Sequence, residues 1–219
     1  MEAKIQKKIE KFLEVYPLVK FQKNELMYRP NEVTPFLSYL KSGYVRLYTI
    51  SENGQEISLN IFSPGSFLPL AMTDNKAKNQ YYFEAMTSVQ TWHLPQKEAP
   101  VLIEENPDLI LPLLDNSLFG TGSLLSRIES LASGNAYTKV ISVFLLLLSD
   151  RVKQNEKNIR VDIPLTHRII ASLTGLTRET VTLQMLKLKK KGLVTGRGRN
   201  LIVRSLEELK AECSAAERE

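Results

Sequence analysis

The stretch LTGLTRETVTLQMLKLKKKG, Leu173–Gly192, sets a Gly-Leu turn before Thr-Arg-Glu-Thr and closes on a run of lysines. Thr166–Thr174 reads as one helix and Gly175-Leu176 as the turn after it. Thr177 is the N-cap of a second helix, because its hydroxyl can satisfy an early backbone N–H. At about 100° per residue, Val181, Gln184, Met185 and Leu188 fall on one side and should pack inward. Glu179, Thr182, Leu183 and Leu186 lie roughly opposite, and Arg178 projects from the tip. A strand, loop and strand follow in TGRGRNLIVRS, which makes the whole a winged helix–turn–helix.

The first residues of such a second helix are those that reach base edges in a major groove. Arginine forks onto O6 and N7 of guanine, and glutamate accepts from N4 of cytosine, so Arg178 and Glu179 together can read a G·C step on both strands. Thr182 can bond a base edge or touch a thymine methyl, and Leu183 completes the base-reading set. Thr166, His167, Thr177, Thr180, Lys187 and Lys190, with Lys189, Lys191 and the wing residues Arg197 and Arg199, are the expected phosphate contacts, which set register without reading sequence. A solvated ion pair at Arg178–Glu179 and a solvated lysine face remain the alternatives.

Charge supports the nucleic-acid reading. The net charge of +5 is unevenly spread: residues 1–136 hold 13 Lys/Arg against 15 Asp/Glu, and residues 137–219 hold 16 against 9. A neutral-to-acidic front joined to a basic back indicates two domains, the second facing a polyanion or simply presenting a solvated basic face. One cysteine, Cys213, excludes an internal disulfide and any multi-cysteine metal site, and fits a reducing cytoplasm. The apolar run Val140–Leu148 is far shorter than the ~20 residues that span a bilayer, so no membrane association is expected.

Working outward, residues 1–17 form an amphipathic helix, and residues 18–100 hold short alternating stretches cut by turns. Asn53-Gly54 between two such runs signals a hairpin, and a further strand pair is expected at Tyr81–Thr87 and Val89–Leu94. Many short strands with close turns give an antiparallel β-roll or barrel. Helical spacing then returns. Leu111, Leu114, Leu118, Thr121, Leu125, Ile128 and Ala132 step by three and four, an a/d seam suited to the same helix of a second subunit, or to this chain's own barrel. Gly120 and Gly122 weaken that helix by roughly 1 kcal/mol each relative to alanine, a soft joint. The fold class is α+β: a β-roll of the double-stranded β-helix type at 1–106, a long dimerisation helix at 107–136, and a winged helix–turn–helix at 137–219.

This order of elements resembles the Crp/Fnr family of bacterial transcription regulators, most specifically in LTHRIIASLTGLTRETVTLQMLKLKKKGLV and more weakly in LKSGYVRLYTISENGQEISLNIFSPGSFL. The resemblance implies a homodimer whose Arg178 and Glu179 contact the G·C pair of each half-site, with RNA polymerase as a further partner. Catabolite-activator-type members carry a second base-reading arginine where this chain has Leu183, so its site should differ at that pair, with A·T the expected alternative. Thr182 stands where oxygen-responsive members carry a base-reading serine. The family's cyclic-nucleotide cassette, Phe-Gly-Glu-Leu followed by Arg-Ser/Thr, is Phe67-Leu68-Pro69-Leu70 here, and its arginine-serine pair falls near Asn79-Gln80. No arginine lies between Arg46 and Arg127, and Lys76 and Lys78 are poorer phosphate forks. The helix positions that touch the base fall near Leu124 and Leu125, which are apolar.

These departures argue against cyclic AMP, and one cysteine argues against an iron–sulfur cluster. His93 is the roll's sole candidate heme ligand and reads as structural. Two histidines in all, one of them in the basic half, are too few for a cupin-type metal enzyme. No phosphate loop or catalytic triad is apparent, so the chain is not expected to be an enzyme. Two readings stay open: a regulator gated by a neutral or apolar small molecule, with Phe67, Leu70, Tyr82, Leu124 and Leu125 as the candidate pocket, or a ligand-independent regulator whose roll is an oligomerisation and polymerase platform.

Overall fold

The computed structural model describes residues 3–68, 79–148, 156–196 and 200–216. The chain divides into two compact units, Met1–Gly120 and Thr121–Glu219. Their boundary falls inside the long helix α3 (Ile110–Ser133), at the first of the two glycines that the sequence marks as a joint. Helix α3 lies within the long helix expected at 107–136.

Helix α1 (Ala3–Leu13) opens the first unit, followed by β1 (Leu18–Phe21), β2 (Leu26–Tyr28), β3 (Phe36–Ser42), β4 (Val45–Ile50), β5 (Glu56–Phe62), β6 (Phe67–Leu68), β7 (Tyr82–Ala85), β8 (Val89–Pro95) and α2 (Ala99–Glu105). The strands form two antiparallel four-stranded sheets, in the orders β1-β8-β3-β6 and β2-β7-β4-β5. Period-2 alternation builds a core on each side of the first sheet. Leu37, Tyr39, Trp92 and Leu94 meet Ile9 and Leu13 of α1 and Leu102 of α2. Leu40, Leu68 and Val89 turn to the other side and join Leu47 and Phe83 of the second sheet.

The Asn53-Gly54 turn joins β4 to β5 as expected, with Gly54 at φ +77°. The expected pairing of Tyr81–Thr87 with Val89–Leu94 does not occur. Strand β7 pairs with β2 and β4, whereas β8 pairs with β1 and β3. The chain crosses from one sheet to the other at Thr87-Ser88, where Gly43 (φ +89°) lies so near the Ser88 carbonyl that a Cβ would collide with it. A tight turn between two β-like runs looks like a hairpin locally, and only the second sheet's demand for Phe83 parts them.

The second unit continues α3 and adds α4 (Ala136–Leu148), β9 (Lys157–Val161), α5 (His167–Thr174), α6 (Arg178–Lys190), β10 (Val194–Thr195), β11 (Leu201–Ser205) and α7 (Leu206–Ala216). The sheet order is β10-β11-β9, all antiparallel. Ile141 and Phe144 of α4, Ile170 of α5, Val181 and Leu188 of α6, Val203 of β11 and Leu209 of α7 are fully buried. Helix α7 occupies what reads as a charged tail. Its signal was Ser205 followed three residues later by Glu208, a start pattern, and the Ser205 hydroxyl does accept from the Glu207 and Glu208 N–H groups at 3.2 and 3.4 Å.

Candidate nucleic-acid interface

Two capped helices set the reading head. The Thr166 hydroxyl accepts from the Ile169 N–H at 3.2 Å, and that of Thr177 accepts from the Thr180 N–H at 3.1 Å. Gly175, at φ +69°, supplies the left-handed turn that ends α5. Val181, Gln184, Met185 and Leu188 are all buried, which fixes the rotation of α6. Arg178, Glu179 and Leu183 are therefore exposed along its outer face, and Arg178 and Glu179 have no ion pair among the described residues. Leu183 and Leu186 are 59% and 50% exposed, an apolar edge suited to base methyls rather than to donor–acceptor reading.

Thr182 is more constrained than its position in the sequence suggests. Its hydroxyl donates to the Arg178 carbonyl at 2.8 Å and lies 2.8 Å from Nδ1 of His167. His167, expected to meet a phosphate or solvent, also touches the recognition helix through Nδ1. Burial, then Lys189 and Arg178, push its pKa below the ordinary histidine value. Thr180 turns its hydroxyl onto that of Thr177 at 2.9 Å.

Lys187 and Lys190 are exposed as expected of phosphate contacts. Lys191 is not spare: its Nζ donates to Glu212 Oε1 of α7 at 2.5 Å and stands 5.5 Å from the centre of the Tyr137 ring. The Tyr137 hydroxyl donates to the same carboxylate at 3.0 Å, and Lys191 holds the Glu212 pKa below the usual carboxylate value. Nothing in the lysine run marks the one that α7 claims. Arg197 and Arg199 lie outside the described residues. Arg127 of α3 also went unforeseen. Its Nη2 donates to the Leu173 carbonyl at 2.8 Å, so the part of α3 after the joint is tied to the end of α5.

The residues of the expected α3 seam are exposed. No residue of α3 is buried; Leu111, Leu114, Leu118, Leu125 and Ile128 are 50–69% exposed, and Thr121 and Ala132 are exposed too. Of the residues expected to line an effector pocket, Phe67 and Tyr82 lie on different sheets. Leu68 and Phe83 point between the sheets, so their neighbours Phe67 and Tyr82 point away from that space in opposite directions. Phe67 packs edge-on against Tyr39 at 4.9 Å beside the α1–α2 core, and Tyr82 stacks on Tyr48 at 5.0 Å on the outer face of the other sheet. Leu124 and Leu125 are exposed on α3. Leu70, Lys76 and Lys78 lie outside the described residues. His93 stacks on Phe36 at 5.1 Å, its Nε2 buried without a partner. Among the described residues no cluster of His, Cys, Asp and Glu could hold a metal ion, and no helix is long and apolar enough to cross a membrane.

A strand-rolled domain followed by a capped recognition helix with an exposed Arg-Glu tip defines a DNA-binding regulator. Comparison with known proteins agrees. Residues 139–212 match the family model of the Crp-like helix-turn-helix domain, and residues 18–106 match that of the cyclic nucleotide-binding domain. The global nitrogen regulator of Nostoc sp. is 27% identical over 177 residues, 80% of this chain and 79% of that one. The transcriptional regulator SdrP of Thermus thermophilus is 28% identical over 170 residues, 76% of this chain and 80% of that one. Among solved structures, a mutant of CooA from Carboxydothermus hydrogenoformans shares the fold at a TM-score of 0.72 and 20% identity, over 93% of this chain and 90% of that one. The chain belongs to the Crp/Fnr family of transcription regulators and carries that family's helix–turn–helix DNA-binding domain.

Proposed function

We propose that two copies of this chain pair through the α3 seam and read a palindromic DNA site with their two α6 helices, the half-sites about 34 Å apart. Arg178 and Glu179 read a G·C pair on both strands, and Thr182 and Leu183 read neighbouring pairs. Lys187, Lys190, Thr166, Thr177 and Thr180 bind phosphates. The observation that carries this is an exposed Arg178–Glu179 pair on a capped first turn whose opposite face is buried. The protein regulates rather than catalyses, works in the cytoplasm and engages RNA polymerase. It uses no heme, iron–sulfur cluster or cyclic nucleotide: its single cysteine and the missing Gly and Glu of the nucleotide cassette support this. Selection of bound DNA from a random pool tests the central claim. A palindrome with G·C at the Arg178 position is expected; no preference among duplexes, or a strictly monomeric protein, overturns it.

A neutral small molecule gates the dimer by shifting how the paired α3 helices pack at Gly120 and Gly122. One observation favours a second reading, a ligand-independent platform: Leu40, Leu68 and Val89 of one sheet pack directly on Leu47 and Phe83 of the other. DNA affinity measured with and without cell extract separates the two, unchanged affinity favouring the platform.

A further inference from the structure

The Thr182 hydroxyl has one proton and two lone pairs. It sits 2.8 Å from the Arg178 carbonyl oxygen, which can only accept, so its proton is committed there. The bond to His167 Nδ1, also 2.8 Å, must then run the other way, with Nδ1–H donating to the threonine oxygen. In the opposite tautomer one threonine proton would have to serve both contacts, leaving two acceptors, either Nδ1 and the threonine oxygen or the two oxygens, at hydrogen-bond distance with no proton between them. One lone pair of Thr182 is thus used and one remains, on a residue that is itself half-buried.

We propose that His167 is a specificity-determining positioning residue: by donating to Thr182 it turns that hydroxyl into an acceptor-only reader, so the base on the strand facing Thr182 is selected for an exocyclic amino group, adenine N6 or cytosine N4, over guanine and thymine. An unconstrained threonine hydroxyl rotates and serves either kind of edge, which is why Ser and Thr ordinarily read bases with little discrimination. Here the helix back-bond holds the proton at the Arg178 carbonyl, as threonines inside helices often do, and the imidazole prevents the side chain from leaving that rotamer. Guanine O6 and N7 and thymine O4 are acceptors, and they meet an acceptor. His167 stands at the first position of α5, so the recognition helix borrows its polarity from the helix before it. The Arg178 carbonyl that anchors the chain belongs to the residue proposed to read the neighbouring G·C pair, which fixes the two contacts in mutual register.

This rests on α6 being the base-reading helix, and two experiments separate its failure from that of the larger proposal. In binding-site selection, the unaltered protein should prefer adenine or cytosine over guanine or thymine about ten-fold on one strand at the pair next to the Arg178 position. Thr182→Val and His167→Phe should each flatten that one position and leave the G·C preference in place, while His167→Asn, whose amide can donate from nearly the same place, should restore it. No consensus at all from the unaltered protein would sink the base-reading role of α6. A consensus that His167→Phe leaves unchanged at that pair would sink only the present inference. Long-range nitrogen–proton NMR of the unaltered protein needs no variant: His167 should carry its proton on Nδ1, and a proton found on Nε2 alone overturns the proposal.

Discussion

Arg178 and Lys190 both carry positive charge on α6, but their placement divides the labour. Arg178 stands exposed on the first turn, where base edges are reached; Lys190 closes the last turn, where a charge meets backbone. Arg178→Ala is therefore expected to cost about 1–3 kcal/mol on the selected site and to relax discrimination at one base pair. Its cost on a scrambled duplex, measured in the same titration, should be much smaller; equal losses on both would demote it to a phosphate contact. The histidines set a different residue-level property. Burial lowers the pKa of both His93 and His167 below the ordinary value of 6.5. Between that value and the lowered ones, the unfolded chain binds more protons than the folded one, so stability must fall as pH drops through that window. Asp108, held down by Lys8, and Glu212, held down by Lys191, add losses in the same direction once pH reaches the carboxylate range. Urea midpoints should decline from pH 7.5 to pH 5, and a flat profile would contradict the burial of the two rings.

At the scale of elements, α6 and α7 are joined by Lys191–Glu212, and this separates two lysines that are neighbours in sequence. Lys190→Ala should weaken binding to every duplex and reduce the salt slope by about one. Lys191→Ala should leave the salt slope nearly unchanged and lower the thermal midpoint slightly, because a pair whose lysine is 57% exposed is worth no more than about 1 kcal/mol. Swapped outcomes would mean that Glu212 yields its lysine to DNA. The comparison also shows what the sequence could tell. Periodicity gave the buried face of α6, since Val181, Gln184, Met185 and Leu188 repeat at helical spacing and no other rotation buries them. The caps Thr166 and Thr177 were legible because capping is local chemistry. The partner of Lys191 was not, because Glu212 is 21 residues away on a helix whose approach only the fold decides. The parting of β7 from β8 was hidden for the same reason: strand pairing is a long-range choice, and alternation names a strand's faces without naming its neighbour. That Phe67 and Tyr82 alternate outward from different sheets was hidden in the same way.

At the scale of the molecule, α3 is the helix within which one unit ends and the other begins, and its two glycines are the feature that packing inside the chain does not explain. A Cβ added at Gly120 or Gly122 meets nothing within 4 Å, and neither glycine has the positive φ that would require it. Alanine should therefore favour the helix by about 1 kcal/mol at each position. A chain that keeps two such weak points in its longest helix keeps them either for a close approach by the partner's helix or for bending between units. Beyond Gly120 the helix is tied to the reading head through Arg127 and the Leu173 carbonyl, so any bend at the joint moves α5 and, through His167, α6 with it. A ligand can exploit that bend only to the extent that it binds one geometry better than the other. Replacing both glycines with alanine should raise the thermal midpoint while changing DNA affinity or its response to cell extract by several-fold, with the dimer intact by sedimentation. A variant that is merely more stable, with binding and response unmoved, would place the gate elsewhere; one that is stabilised but monomeric would assign the glycines to the helix–helix contact instead.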